Sequence, residues 1–161
     1  MIEVIENFLI NINPSFGVFI VSMLPIIELR GAIPLGIGLG LNWFWVYIIS
    51  VIGNLLPLPF VILIIRPLIE WLIHTKTFNK IGVWLDKRTK EKSSQVTKYK
   101  KLGLLLFVAI PLPGTGGWTG AMIAGILNMR LKDALPAIFA GVVIAGAAMV
   151  LISKFFQFFG K

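Results

Sequence analysis

Four long apolar stretches occur along the chain, with polar residues between them. They cover residues 16–41, 43–65, 102–127 and 134–152. Each is about as long as the roughly 20 residues that a helix needs to cross a bilayer. Because 57% of the residues are apolar and only 14% are charged, the composition excludes an ordinary water-soluble globule. The pattern predicts an all-α integral membrane protein of the multi-pass type.

Two of the four stretches are interrupted by residues that weaken helices. Prolines and glycines recur from Pro25 to Gly40 in the first stretch and from Pro111 to Gly120 in the third. Proline removes a backbone donor and glycine weakens a helix interior, so neither stretch is expected to form one straight helix. Irregular backbone survives at membrane depth only where protein or a water-filled cavity covers it. We therefore expect two re-entrant helical hairpins that meet inside the protein.

The two halves of the chain resemble each other at an offset of 86 residues. This offset pairs Gly17 with Gly103, Pro25 with Pro111, Gly31 with Gly117, Leu41 with Leu127 and Asn42 with Asn128. Each half has one broken stretch followed by one helix, which predicts two inverted repeats, 1–65 and 102–161, in a single membrane domain of residues 1–161. A basic linker, 66–101, joins the repeats. Asn42 and Asn128 are expected to cap helices at the membrane surface.

The distribution of positive charge orients the chain in the membrane. The net charge is +8, and ten of the fifteen Lys and Arg residues lie between Arg66 and Lys101. Such a cluster between two membrane stretches is typical of a cytoplasmic loop near anionic headgroups and does not indicate nucleic-acid binding. The hairpins would place residues 128–133 inside and the acidic N-terminus outside. Four plain spanning helices would put Arg130 and Lys132 outside, which fits the charge bias less well.

The linker also carries an amphipathic pattern. Between Pro67 and Lys87, apolar residues recur near helical spacing and lysines interleave with them; the apolar positions are Trp71, Phe78, Ile81, Trp84 and Leu85. This pattern predicts a helix that lies on the cytoplasmic membrane surface. The chain has no cysteine and one histidine, so no metal cluster is expected. It has no nucleotide-binding motif either, and we expect no cofactor.

Glu28 and Arg30 are the residues best suited to carry chemistry. They lie in the middle of the first apolar stretch, where Pro25, Gly31 and Pro34 surround them. A charge at that depth costs about 3 kcal/mol on insertion scales and usually faces a bundle interior or an ion path. One interpretation is a structural ion pair that fixes the hairpin. The other, which we favour, makes Glu28 a proton-accepting or cation-binding group, while Arg30 holds an anionic group or tunes Glu28.

The second hairpin carries the segment IPLPGTGGWTG, residues 110–120. The residues predicted to form its turn or the substrate path are Pro111, Pro113, Gly114, Thr115, Gly116, Gly117, Trp118 and Thr119. The exposed amides and hydroxyls of such a turn are able to bind an anion. Alternatively, the small residues only pack closely between the hairpins, and the threonines satisfy backbone groups. Trp118 either lines the path or fills the core, and Asn54 either hydrogen-bonds a neighbouring helix or lines the cavity.

The segments PIIELRGAIP, residues 25–34, and PLPGTGGWTG, residues 111–120, resemble the small multidrug export protein family, a distant relative of the DedA (SNARE-associated, VTT) membrane proteins. The resemblance covers about residues 15–155. It implies two inverted re-entrant hairpins packed with transmembrane helices in the inner membrane of a prokaryote. It also implies proton-dependent transport, or the flipping of lipids or lipid carriers. By position, Glu28 matches the acidic residue of the first DedA hairpin, whereas the second hairpin lacks the arginines usual in DedA proteins.

The sequence therefore predicts a transporter and not an enzyme. The preferred function is proton-coupled export of a small amphipathic or cationic substrate through a site between the two hairpins. The alternative is a DedA-like lipid flippase or scramblase, in which Arg30 and the Gly/Thr turn meet a phosphate headgroup, and a third class is a scaffold that transports nothing. The expected partners are membrane lipids, a small-molecule or lipid substrate and protons. Because the chain is short, we also expect a homo-oligomer.

Overall fold

The computed structural model describes residues 13–74, 97–112 and 114–159 of the chain. Within these ranges the chain forms seven α-helices, which are α1 Pro14–Met23, α2 Glu28–Gly38, α3 Trp43–Leu55, α4 Leu58–His74, α5 Thr97–Ala109, α6 Gly117–Ile126 and α7 Leu131–Phe159. The predicted surface helix of the linker lies outside the described residues after His74, as does the acidic N-terminus. Helix covers both ends of the predicted linker, because α4 continues past residue 65 and α5 begins at Thr97.

Two helical stretches are long and apolar enough to cross a membrane. Trp43–Ile65 combines α3 with the first part of α4, and Leu131–Phe159 is α7; both have a mean hydropathy of 2.5. The first stretch is interrupted by a turn at residues 56–57, where Pro57 has no N–H to donate to the preceding helical turn. The described part of the chain thus agrees with the predicted all-α class.

Three of the other helices are too short to cross a bilayer. Helices α1, α2 and α6 have 10, 11 and 10 residues. At a rise of 1.5 Å per residue, such helices are about 15 Å long, half the thickness of the hydrocarbon core. A turn at residues 24–27 joins α1 to α2, and the non-helical residues 110–112 and 114–116, called the second turn below, lie between α5 and α6. The helices of each pair pack against each other.

The non-helical break in the first apolar stretch is shorter in the structure than the prolines and glycines predicted. The turn contains Pro25, but Gly31 and Pro34 lie inside α2 and do not interrupt it. Proline inside a helix removes one hydrogen bond. The neighbouring Ala32 and Ile33 are completely buried, and the burial of this face offsets the loss of that hydrogen bond.

Gly40 and Asn128 occupy equivalent positions at the ends of α2 and α6. Both have a positive φ, of 79° and 50°. In each case the next residue donates its N–H to a carbonyl five residues earlier, which is typical of a helix that ends at a left-handed residue. Asn128 therefore caps the C-terminus of α6, whereas Asn42 caps the N-terminus of α3 by accepting the N–H of Phe44 at 2.9 Å. Both residues are caps, as predicted, but they are not equivalent to each other.

Equivalent residues in the two halves are 86 positions apart before the hairpin turns and 88 positions apart after them. Gly40 and Asn128 are 88 residues apart, as are Gly53 of α3 and Gly141 of α7. Helices α1 and α5, however, end 86 residues apart. Gly53 faces the carbonyl of Phe19, and Gly141 faces the carbonyl of Leu105, which is 86 residues after Phe19. The offset between the halves therefore grows by two residues across the turn, and the sequence pairing by a single offset of 86 is displaced by two residues after it.

Helices α3 and α7 pack in opposite directions. The Nζ atom of Lys154 lies 4.0 Å from the ring centroid of Trp43. Further along α3, Tyr47 and Val51 pack against Gly146. Residue numbers thus rise along α3 as they fall along α7. Four helices that crossed the membrane one after another would make these two helices parallel, so the packing contradicts that alternative.

The core lies between α1 to α3 on one side and α5 to α7 on the other, with α4 packed against α6. Its largest completely buried apolar side chains are Ile33, Leu58, Ile62, Ile138, Val18, Val46, Val108 and Val142. Many large apolar side chains of the spanning helices are exposed on the outside, including Phe60, Leu151 and Phe158. An apolar exterior of this extent is expected of a surface that faces lipid.

Candidate functional site at the hairpin turns

Glu28 is buried where the two hairpins meet. Only 5% of its surface is exposed, and it begins α2 with a left-handed φ of 53°, which is uncommon for a residue other than glycine. Its Oε1 accepts the backbone N–H of Trp118 at 3.1 Å, and the carboxylate also interacts with the N–H of Gly117. These amides begin α6, where free N–H groups and the helix dipole favour an anion. Glu28 is therefore the acidic cap of a helix from the other half of the chain.

Two glycines of the second turn make this approach possible. A Cβ atom on Gly116 would overlap the carboxylate of Glu28, and the φ of 146° at this position is also unfavourable for other residues. A Cβ atom on Gly117 would overlap Oδ1 of Asn54. The close approach of Glu28 and Asn54 thus explains why the segment has two successive glycines, and it favours the packing interpretation of these two positions.

Arg30 also crosses to the second hairpin. Its guanidinium donates hydrogen bonds to the backbone carbonyls of Val108, Ile110, Leu112 and Thr115. Carbonyls at the end of a helix lack intrahelical donors and carry partial negative charge, so a cation there is favourable. The Thr115 hydroxyl lies 2.8 Å from the carbonyl of Ile110 and 2.9 Å from that of Leu112. Thr115 thus satisfies backbone groups, as the packing interpretation predicts.

The two charges of the first hairpin bind opposite helix ends of the second. Glu28 binds the start of α6, and Arg30 binds the end of α5 and the following turn. One of the two interpretations of the sequence was that they pair with each other. In the structure, each instead compensates backbone groups that the break between α5 and α6 leaves without partners. The predicted structural ion pair is replaced by two helix-end contacts.

Trp118 makes the reciprocal contact from the second half of the chain. Its Nε1 donates a hydrogen bond to the carbonyl of Met23, the last residue of α1, at 3.1 Å. Trp118 lies 88 residues after Arg30, so the two residues are equivalent in the correspondence described above. Each donates from its side chain to the end of the first helix of the other half. The Trp118 ring packs against the hydrophobic core, which agrees with the core-filling interpretation.

A cavity of about 400 Å³ lies between the two turns. Its lining residues are Pro25, Ile26, Ile27, Glu28, Arg30, Pro111, Leu112, Gly114, Thr115, Thr119 and Met149. Seven of the fourteen residues predicted for the site thus line one cavity. No sequence pattern pointed to Met149, because it reaches the cavity from α7, far along the chain from both turns. Ile26 is also unpredicted, and it is 94% exposed at the tip of the first turn.

Several predicted path residues lie elsewhere. Pro34 lines a separate cavity of about 520 Å³ between the ends of α2 and α7. Gly31 packs against the side chain of Ile27. Asn54 is completely buried, and its Nδ2 donates to the carbonyl of Ser22 at 3.4 Å, so it binds a neighbouring helix. Pro113 lies outside the described residues.

These features define a class of protein: a helical membrane protein in which two helical hairpins meet and side chains of each bind helix ends of the other. A family model described as "Putative small multi-drug export protein" matches residues 28–148, and the chain belongs to this family. The match begins at Glu28, includes both α2 and the second hairpin, and ends within α7. Export is the role of a transporter, which is not an enzyme class. No curated protein and no solved structure matches the chain significantly.

Proposed function

We propose that this protein exports a small amphipathic or cationic substrate across the plasma membrane of a prokaryote and that Glu28 couples export to protons. The family assignment supports an export role. One observation supports proton coupling through Glu28: its carboxylate both lines the cavity and caps the start of α6. A proton on Glu28 would therefore change the charge of the cavity and weaken the contact between the hairpins in one step.

The proposed architecture is a pair of inverted repeats, each a re-entrant hairpin followed by a spanning helix. Three observations support it: three of the four hairpin helices are too short to cross a bilayer, α3 and α7 run in opposite directions, and equivalent contacts recur in both halves. In addition, α2 packs against α7 and α6 packs against α4, so each hairpin contacts the spanning helix of the other repeat. A movement of one hairpin would then change the packing of the other repeat.

The proposed transport step is an exchange at one carboxylate. When Glu28 is ionised, it holds the N–H groups at the start of α6 and offers a negative charge to a cation in the cavity. When it is protonated, the charge-assisted hydrogen bond becomes a weaker neutral one, and the attraction for a cation is lost. A proton and a cationic substrate therefore compete for Glu28. Arg30 remains bound to the carbonyls around the second turn and keeps the two turns together.

Transport in liposomes tests this proposal. Purified protein is reconstituted, a pH gradient is imposed, and the flux of a fluorescent lipophilic cation is followed. We expect gradient-dependent flux in the natural protein and none in Glu28→Gln. Asp133→Asn is the matched control, because Asp133 pairs with Lys101 at 2.7 Å, away from the cavity, and this variant should transport normally. Unchanged, gradient-dependent flux in Glu28→Gln would disprove the coupling role of Glu28.

Lipid translocation remains the alternative function, and the same liposomes test it. A flippase or scramblase would use Arg30 and the turn to bind a phosphate headgroup, but four backbone carbonyls already accept hydrogen bonds from Arg30. A headgroup would have to displace them. Movement of a labelled phospholipid without any gradient, lost in Arg30→Ala, would favour lipid translocation over export. Cation flux without lipid movement would favour export.

We also propose that the protein works as a homo-oligomer. Ile26 is 94% exposed beside the cavity, and a second copy packed over the first turn would cover it. Light scattering of the detergent-solubilised protein, corrected for bound detergent, measures the mass. A monomer at all protein concentrations, with full transport activity, would contradict this part of the proposal.

A further inference from the structure

Helix α3 carries two polar side chains on an otherwise apolar buried face. Ser50 and Asn54 are both completely buried. They are four residues apart, so their side chains lie on the same face of the helix, one turn above the other. Gly53 on the same helix packs against Phe19 and Ser22 of α1. Because Oδ1 of Asn54 also faces Gly117, the Asn54 end of the pair lies at the junction of α1, α3 and the start of α6.

Part of the hydrogen-bonding capacity of this pair is unused. The amide nitrogen of Asn54 donates to the carbonyl of Ser22, but Oδ1 of Asn54 and the hydroxyl of Ser50 have no partner. The large majority of buried side-chain polar atoms do have one, from protein or from ordered water. Two unpaired atoms one helical turn apart, both shielded from the surroundings, therefore point to a small hydrogen-bonding ligand.

The second half of the chain provides the comparison. The positions 88 residues after Ser50 and Asn54 are occupied by Ile138 and Val142, which are also completely buried. Val142 packs against Gly117, the same glycine that Oδ1 of Asn54 faces. Apolar side chains therefore occupy the equivalent positions of α7, and packing alone does not explain a serine and an asparagine in the first half.

We propose that Ser50 and Asn54 bind one internal water molecule, enclosed between α1, α3 and the start of α6. The water donates a hydrogen bond to Oδ1 of Asn54 and accepts one from the hydroxyl of Ser50, so a single molecule satisfies both atoms. A metal cation fits less well, since hard cations take about six or more oxygen ligands and the unpaired side-chain oxygens described here are two. The site does not include the cavity at Glu28.

Magnetisation transfer from water to the side-chain amide of Asn54 tests the proposal. The protein is placed in lipid nanodiscs with ¹⁵N-labelled asparagine. We expect a cross-peak with the sign of a long-lived bound water in the natural protein, and its loss in Ser50→Ala. Ser22→Ala is the matched control, because the Ser22 hydroxyl donates to the carbonyl of Phe19 at 2.6 Å and does not serve the pair. This variant should keep the cross-peak.

A high-resolution density map of the natural protein provides a second measurement that does not depend on any variant folding. The expected feature is a peak within hydrogen-bonding distance of both Ser50 Oγ and Asn54 Oδ1. A direct hydrogen bond between the two side chains, with no peak and no cross-peak, would overturn the proposal. So would a rise in melting temperature specific to sodium over potassium and lost in Ser50→Ala, because the ligand would then be a cation.

Discussion

The carboxylate of Glu28 accepts a hydrogen bond from the backbone N–H of Trp118 at 3.1 Å, although 90 positions separate the two residues in the chain. The acid lies in the first hairpin and the amide in the second. A buried charge, which would be unfavourable alone, thus compensates the unpaired N–H groups of another helix. The contact joins the two halves of the molecule at the site where we propose that protons act.

Replacing Glu28 should destabilise the protein. Glu28→Ala leaves the amides at the start of α6 buried without an acceptor, so we expect the free energy of unfolding to fall by about 2 kcal/mol. Glu28→Gln should lose less, because its carbonyl oxygen still accepts a hydrogen bond. Denaturant unfolding in detergent measures both. Asp133→Ala, at the Lys101 pair, is expected to have a much smaller effect, and an equal loss there would contradict the special role of Glu28.

Arg30→Lys tests whether the geometry of the guanidinium matters beyond its charge. Arg30 reaches four carbonyls with a planar group, whereas a lysine ammonium is a compact point charge. We expect the free energy of unfolding to fall by about 1–3 kcal/mol, from carbonyls left without donors. Arg130→Lys, at an exposed position, is the control and should be neutral. Denaturant unfolding in detergent measures both variants. If Arg30→Lys is as stable as the natural protein, the planar geometry of the guanidinium is not important.

A methyl group at Gly116 should disrupt the contact between the two hairpins at Glu28. The added Cβ of Gly116→Ala overlaps the Glu28 carboxylate, and the residue has a φ of 146°. We expect a lower melting temperature and reduced transport. Gly103→Ala is the matched control, since a Cβ there meets nothing within 4 Å and alanine is the better helix former. If both variants melt at the temperature of the natural protein, the close approach of Glu28 to Gly116 is wrong.

Single cysteines at the two hairpin ends test the proposed topology, because the chain contains no other cysteine. Leu39→Cys lies at the end of α2, and Lys132→Cys lies in the first turn of α7. Inverted hairpins place these two positions on opposite sides of the membrane, Leu39 outside and Lys132 inside. An impermeant thiol reagent applied to intact cells should label only the first. Labelling of both from outside would instead match four helices that cross in turn.

The prolines show which breaks in the helices could be predicted from the sequence and which could not. The turns around Pro25 and between α5 and α6 were predictable, because the effects of proline and glycine on a helix are local. Pro34 was predicted to break α2 and does not, because burial of the neighbouring side chains keeps the helix intact. A break at Pro57 was not predicted, since the surrounding residues form an uninterrupted apolar run.

The sequence by itself determined the helical class of the described residues, the two long apolar helices, the two interrupted stretches, and the presence of an acid and a base in the first of these. Hydrophobicity, proline and glycine act on the residues next to them, so their effects can be predicted from the order of the chain. Only the tertiary structure decided that Glu28 and Arg30 bind opposite helix ends of the second hairpin instead of each other. Hydrogen-bond partners 80 to 90 residues away depend on how the helices pack, and no local pattern records that packing.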